Sequence, residues 1–225
     1  MLHLVQESSS REVTWHPTAL RISSELTSYF RRKYQKAAIL VTPEGVVGAL
    51  HEAGIKCVLL GTYGINGWRS EPRATQDVDV LVTKRDTRKA VKTIRKLYPE
   101  LTVNDFPVVT RFVDPGTGLG VIDVMKPTHP LYRVAFRHTI QVEETHRLPS
   151  LELAIVSKFA AMVSPHRGQP KKLIDGGDFS DIIIFNRARI DLDKLVALAN
   201  KVYPDGGNEI LTHIVDIDAG RQIVF

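Results

Sequence analysis

The chain has a single cysteine, Cys57. No disulfide can close within it, and no cysteine-rich zinc site can form. Set in the apolar run Cys57-Val58-Leu59-Leu60, this thiol reads as a small buried hydrophobe. Long apolar runs are missing as well: none approaches the roughly 20 residues of a membrane-spanning helix, so no membrane partner is expected. The N-terminus lacks a basic segment followed by an apolar one, which makes a secretory signal unexpected and the cytoplasm the default compartment. There is no internal repeat, no low-complexity tract, no nucleophile elbow and no Walker lysine. His16, His51, His129, His138, His146 and His166 lack metal-ligand spacing, so surface or structural roles are expected of them.

What is present is ordinary globular chemistry. In 225 residues, 43% are hydrophobic and 24% charged, enough for a sizeable core and too apolar for global disorder. The length suits one catalytic core with a small appended lobe. A net charge of +5 and a pI near 9.3 suit an anionic partner such as a nucleotide or RNA, although the excess is small for a dedicated nucleic-acid binder.

Along the chain, residues 1–14 are polar and irregular and read as a flexible N-terminus. A helix is expected over 17–36, ending in Arg31, Arg32 and Lys33, which read as a solvated helix end. Thr42-Pro43-Glu44 starts a helix that stops at Gly54. A short buried strand over Ile55–Leu60 runs into Gly61-Thr62, a turn opening a short helix. Residues 77–82 alternate as a strand, and 84–97 form a basic amphipathic helix with Ala90, Val91, Ile94 and Leu97 inward. Strands over 106–113 and 120–125 flank a turn-rich connection, with a helix over 131–136 and a weak strand over 140–142. Pro149-Ser150 begins a strongly apolar helix to Val163, 164–172 read as a basic loop, and helices follow over about 174–186 and 191–203; the last twenty residues have no clear pattern. The expected division is a core over 15–147 and a helical region over 148–225.

Chemistry concentrates in Asp77-Val78-Asp79-Val80-Leu81-Val82. Alternate side chains of a strand share a face, so Asp77 and Asp79 project together while the valines project to the other side. Adjacent carboxylates repel, and a hard cation between them relieves this. Such a pair also occurs on exposed edge strands, so it needs support. Asp123 supplies it, a lone acid within Gly120-Val121-Ile122-Asp123-Val124-Met125. A carboxylate amid apolar residues needs a partner: either a metal shared with Asp77 and Asp79, or a basic side chain. Gly61 lets a backbone approach a phosphate, and Thr62 adds a hydroxyl donor.

These residues resemble the nucleotidyltransferase superfamily typified by DNA polymerase beta, which has a glycine turn after a strand, an Asp-x-Asp on the next strand and a third Asp on a later one. Pro72-Arg73-Ala74-Thr75-Gln76-Asp77-Val78-Asp79 is similar to the Arg-x-Thr-x-Asp-x-Asp stretch of the AbiEii-type toxin branch. That branch also tends to carry a helical lysine, a basic loop and an Asp-x-x-Asp, which Lys158, residues 167–172 and Asp178 to Asp181 resemble. The chain departs from the pattern in having Thr62 for a second Gly or Ser, one extra residue before Asp77, and Lys171-Lys172 in the basic loop.

The resemblance implies a mixed α/β sheet flanked by helices, with a C-terminal helical bundle-like half. It implies transfer of an NMP from an NTP to an acceptor hydroxyl, on two Mg2+ ions or Mn2+. Asp77, Asp79 and Asp123 would be the catalytic metal ligands, and Gly61, Thr62, Arg73 and Lys158 would bind the nucleotide. The acceptor would be the tRNA 3′ end, for a toxin with an antitoxin partner, or a small molecule, for an antibiotic-type adenylyltransferase; a non-catalytic nucleotide- or partner-binding protein is the reading from another class. Lys158 falls in an apolar helix arc and must reach an anion or snorkel to water. Asp178 and Asp181 share a helix face, open either to catalysis or to pairing with Lys158 or Arg167.

Overall fold

The computed structural model describes residues 2–35 and 39–223, with side chains from Trp15 onward. In chain order the elements are α1 (Leu2–Tyr34), α2 (Pro43–Glu52), β1 (Cys57–Leu59), α3 (Gly61–Ile65), β2 (Val78–Val82), α4 (Thr87–Leu97), β3 (Thr102–Asp105), β4 (Val109–Val113), β5 (Gly120–Met125), α5 (Pro130–Val134), β6 (Thr139–Gln141), β7 (Arg147–Pro149), α6 (Leu151–Met162), α7 (Gln169–Asn186), α8 (Leu192–Ala199) and α9 (Gly206–Asp218). They divide into two compact units. One comprises Met1–Gly67, Glu71–Thr128 and Thr139–Leu148; the other comprises Trp68–Ser70, His129–His138 and Pro149–Phe225.

The first unit holds a seven-stranded mixed sheet of order β3-β4-β5-β2-β1-β7-β6. β2 and β5 are parallel neighbours, while β3, β4 and β5 form an antiparallel meander. The architecture is therefore mixed α/β with a helix-flanked sheet, as expected. Val46 and Leu50 of α2, Ala90 and Ile94 of α4, and Val78, Val80 and Val82 of β2 share one core cluster. The Thr42 hydroxyl accepts from the Gly45 N–H at 3.2 Å, capping α2 before Pro43, and Gly54 lies past its end at φ +67°. Cys57 is buried.

Two strands escape the sequence pattern. β3 is an edge strand with a mostly exposed, polar face, and β7 has three residues ending in proline. α1 begins at Leu2 instead of residue 17, so residues 2–14 are helical in backbone rather than irregular, and Pro17 lies inside the helix. Proline there mimics a first-turn signal because its missing N–H is tolerated at a helix start. The expected end at residue 36 falls outside the described residues. Arg31 is not on a solvated end: it is 3% exposed, facing Asp114, Tyr63 and Tyr98. Burial pushes its pKa down and these three groups push it back up.

The second unit is helical, packed through Phe159 and Phe179 with Ile182, Leu195, Leu198 and Ile210, all fully or nearly fully buried. Ser150 caps α6 by accepting from the Leu153 N–H. α7 starts at Gln169, so the end of the expected basic loop is its first turn. Lysines near a helix N-terminus oppose its dipole, which disguised the start; Pro170 in the first turn favours it. The unpatterned C-terminal stretch contains α9, whose Gly206 fits where a Cβ would lie 2.6 Å from the Ala199 carbonyl oxygen.

Candidate metal centre

Strand register builds an acidic row. Asp79 of β2 lies directly beside Asp123 of β5 in the parallel pair, and Asp123 lies opposite Arg111 of β4 in the antiparallel one. Side chains at paired positions share a face. Asp77 immediately precedes β2 and shares the alternation with Asp79. A carboxylate oxygen from each of Asp77, Asp79 and Asp123 lies within 4.8 Å of the others. Val78 and Val80, on the opposite face, are sealed in the core. Alternation thus makes one face a core and the other an acid cluster.

Oxygen donors alone, two of the carboxylates half-buried and one 5% exposed, fit a hard divalent cation. Octahedral Mg2+ at about 2.1 Å sets its ligand oxygens roughly 3–4 Å apart, so the cluster is close to ligating spacing. The turn after β1 completes one wall. The Leu60 N–H donates to the Asp79 carbonyl at 2.8 Å, and Gly61 follows at φ +58°. A Cβ on Gly61 would lie 2.0 Å from the Asp79 Oδ2. Only glycine leaves that carboxylate in place.

Asp123 also has the basic partner that the sequence left open. Arg111 grips it in a fork, Nε to Oδ1 at 2.8 Å and Nη2 to Oδ2 at 2.6 Å. That hydrogen-bonded pair, with Asp77 and Asp79 farther off, holds Arg111 above its ordinary pKa and firmly charged. The Arg111 side chain is 41% exposed, so the fork faces solvent on one side. Sequence reasoning missed it. Its signal was an arginine on the polar phase of the alternating strand Val109-Thr110-Arg111-Phe112-Val113.

A second missed group is the inward face of α1. The Ser23 hydroxyl donates to the Arg73 carbonyl at 2.6 Å, and the Asn66 side chain holds the same residue's carbonyl and N–H at 3.1 and 3.3 Å. The Thr27 hydroxyl accepts from the Thr75 N–H at 3.0 Å, and the Thr75 hydroxyl reaches Asp77 Oδ1 at 3.3 Å. Thr27 also bonds the Tyr63 phenol, whose pKa burial raises to about 12. These contacts fix the approach to the acid strand.

Of the expected nucleotide ligands, Gly61, Thr62 and Arg73 belong to the first unit and Lys158 to the second. Gly61 adjoins Asp79, and Thr62 follows it but is only 6% exposed. The Arg73 backbone is clamped as described, and its guanidinium donates to the Ala74 carbonyl at 3.0 Å. Lys158, in the second unit, contacts Asp175 at 2.9 Å and Asp178 at 2.7 Å. Arg167 joins Asp175, Arg69 joins Asp178 and, at 3.1 Å, Asp181, and the Ser70 hydroxyl donates to Asp181 at 2.6 Å. Three cations and three acids balance in this network. Asp178 thus pairs with Lys158, while Asp181 pairs with Arg69, a residue the sequence pattern did not mark.

No family model and no curated protein matches the chain. Among solved structures it is similar to an antigenic nucleotidyltransferase-like protein from Paracoccidioides brasiliensis, at 18% identity over 79% of this chain and 91% of that one, with a TM-score of 0.43. It is similar to the antibiotic-resistance factor ANT(2'')-Ia, at 11% identity over 79% and 93%, with a TM-score of 0.46. It is also similar to the Megavirus polyadenylate synthase, at 12% identity over 67% of this chain and 36% of that one, with a TM-score of 0.43.

Proposed function

We propose that this chain is a metal-dependent nucleotidyltransferase that moves a nucleoside monophosphate from an NTP to a hydroxyl of an RNA acceptor. The observation that carries this reading is the convergence of Asp77, Asp79 and Asp123 within 4.8 Å beside the Gly61 turn. In the reaction the acceptor oxygen bonds to the α-phosphorus, the bond to the β-phosphate bridging oxygen breaks, and pyrophosphate leaves with the electron pair. Bound Mg2+ or Mn2+ would supply Lewis-acid stabilisation of the charge on the transferring phosphoryl group.

The chain's own residues do the positioning. Asp77 and Asp79 would hold the cations, and Asp123, released from Arg111, would hold one cation and accept the hydroxyl proton on a carboxylate oxygen. Arg111 then faces the incoming phosphates as a neutralising charge, a role shared with Arg73. Gly61 and Thr62 offer main-chain N–H groups to the β- and γ-phosphates. A phosphate contact for Lys158 is part of the proposal and requires its ammonium to leave Asp175 and Asp178. The basic balance favours a polyanionic acceptor over a cationic antibiotic. The narrower reading, a toxin acting on the tRNA 3′ end under an antitoxin, rests on the AbiEii-type resemblance.

The test is incubation of the protein with each labelled NTP, Mg2+ or Mn2+ and total RNA, beside Asp77→Ala/Asp79→Ala. Label appearing on RNA with wild type alone is the expected result. Label on an added aminoglycoside would move the acceptor to a small molecule. Equal label with both proteins, across every acceptor, would remove the activity.

A further inference from the structure

The chain's basic surplus sits on one helix and the turn that leads into it. Seven cations and one acid, Asp86, lie between Lys84 and Leu97, a net of +6 in a chain whose total is +5. The remainder of the molecule is slightly acidic. All seven cations are exposed. On α4, Lys89, Lys92 and Lys96 follow the i, i+3, i+7 spacing that keeps one row on a helix face, Arg88 and Arg95 flank it, and Lys84 and Arg85 lie in the turn before the helix. At 1.5 Å per residue the row is about 10 Å long.

Among the described residues, only Arg85 of the seven lies within ion-pair distance of an acid, Asp86 at 3.7 Å. Lys89 donates to the Ala53 carbonyl, and the other five have no acidic partner among the described residues. Solvated helix faces usually mix signs at i and i+4. This face repels itself, which costs stability and calls for an external anion.

We infer that the exposed face of α4 is a docking surface for the sugar–phosphate backbone of a single-stranded RNA, the acceptor of the proposed transfer, on which reading its purpose rests. Two features choose this occupant. A membrane surface would need the helix's apolar side, but Ala90 and Ile94 are 0% exposed and belong to the core under the sheet. A protein partner would need an apolar or aromatic anchor at the centre of the face, and interface centres are depleted of charge. An unbroken row of cations instead matches an evenly charged polymer. The same unit carries the acid cluster, and α4 follows β2 directly.

Binding of a labelled single-stranded RNA to the full chain in EDTA, followed by anisotropy across salt, tests this without any turnover. The probe protein is Arg88→Gln/Lys92→Gln/Arg95→Gln, with Arg133→Gln/Lys171→Gln/Lys201→Gln as a charge-matched control at exposed sites elsewhere. The α4 variant should lose at least about tenfold in affinity, and its log–log salt slope should fall by about 2, roughly 0.7 per lost phosphate contact. The control should bind like wild type. An α4 variant that binds normally, or a control that loses as much, overturns the inference. So does equal, α4-dependent binding of poly-glutamate or of phosphatidylserine vesicles.

The transfer reading fails separately. Asp77→Ala/Asp79→Ala should bind RNA normally here, and RNA binding without nucleotide transfer would sink the activity while leaving the surface in place. Transfer to RNA with an unchanged RNA KM in the α4 variant would sink the surface alone.

Discussion

Three carboxylate oxygens within 4.8 Å of one another repel, and Arg111 holds a cation directly against one of them. A divalent ion and this guanidinium therefore compete for Asp123. Arg111→Gln removes the competitor, and Mn2+ affinity, read by titration calorimetry, should rise about tenfold, the equivalent of about 1.4 kcal/mol. Unchanged affinity would mean the fork never has to open. Without metal the same variant should be less stable by about 1–3 kcal/mol, because its buried Asp123 loses a charged partner. Gly61 carries the opposite kind of constraint, an exclusion of volume. Gly61→Ala should lower stability by roughly 1 kcal/mol for the positive φ and displace Asp79 as well. Loss of Mn2+ binding beyond what the stability change explains is the expected readout. Normal binding would show that Asp79 can turn aside and still ligate.

At the scale of elements, α1 acts as a polar clamp. Ser23 and Thr27, spaced i and i+4, hold the main chain of Arg73 and Thr75 and so set the entry to β2. Ser23→Ala/Thr27→Val leaves the Arg73 carbonyl with Asn66 as its donor and takes the Thr27 acceptor from the Thr75 N–H. Stability should fall by about 1–3 kcal/mol, and metal affinity should weaken because Asp77 is no longer fixed. A variant as stable as wild type, with unchanged metal affinity, would show that the clamp is redundant. This clamp also explains what was legible in advance. Elements announced by periodicity or caps, such as α2, β2, β5 and α6, could be read from the sequence, and the valines of β2 told which face carries Asp79. The partners could not. Ser23, Thr27 and Arg31 look like any polar helix face until tertiary structure covers it. Arg111 looked like an exposed strand residue, because the β4–β5 register that joins it to Asp123 is not written in either strand.

At the scale of the molecule, two buried histidines set the acid limit of stability. His16 is 2% exposed, beneath Gly67, where a Cβ would lie 1.9 Å from its Nδ1. His146 is 3% exposed, with the Thr145 hydroxyl 2.9 Å from its Nδ1 and the Glu143 carboxylate 3.9 Å away. Burial lowers both pKa values from 6.5 to about 4. Both rings are therefore neutral in the folded chain at a pH where the unfolded chain protonates them. The stabilisation is fully present above about pH 6.5, declines as pH falls through the interval between the two values, and is gone below about pH 4. Each shift corresponds to on the order of 3 kcal/mol, and these two protons taken up only on unfolding give a slope of about 2.7 kcal/mol per pH unit, to which His138, its pKa also lowered by burial, adds. Denaturation in urea at several pH values between about 4 and 8 should show a plateau above 6.5 and this slope below it. His146→Gln should lower the slope by about 1.4 kcal/mol per pH unit and leave the plateau region flat. A stability that stays level down to pH 5, or a His146→Gln profile parallel to wild type, would mean that these rings are protonated inside the fold and paired with acids.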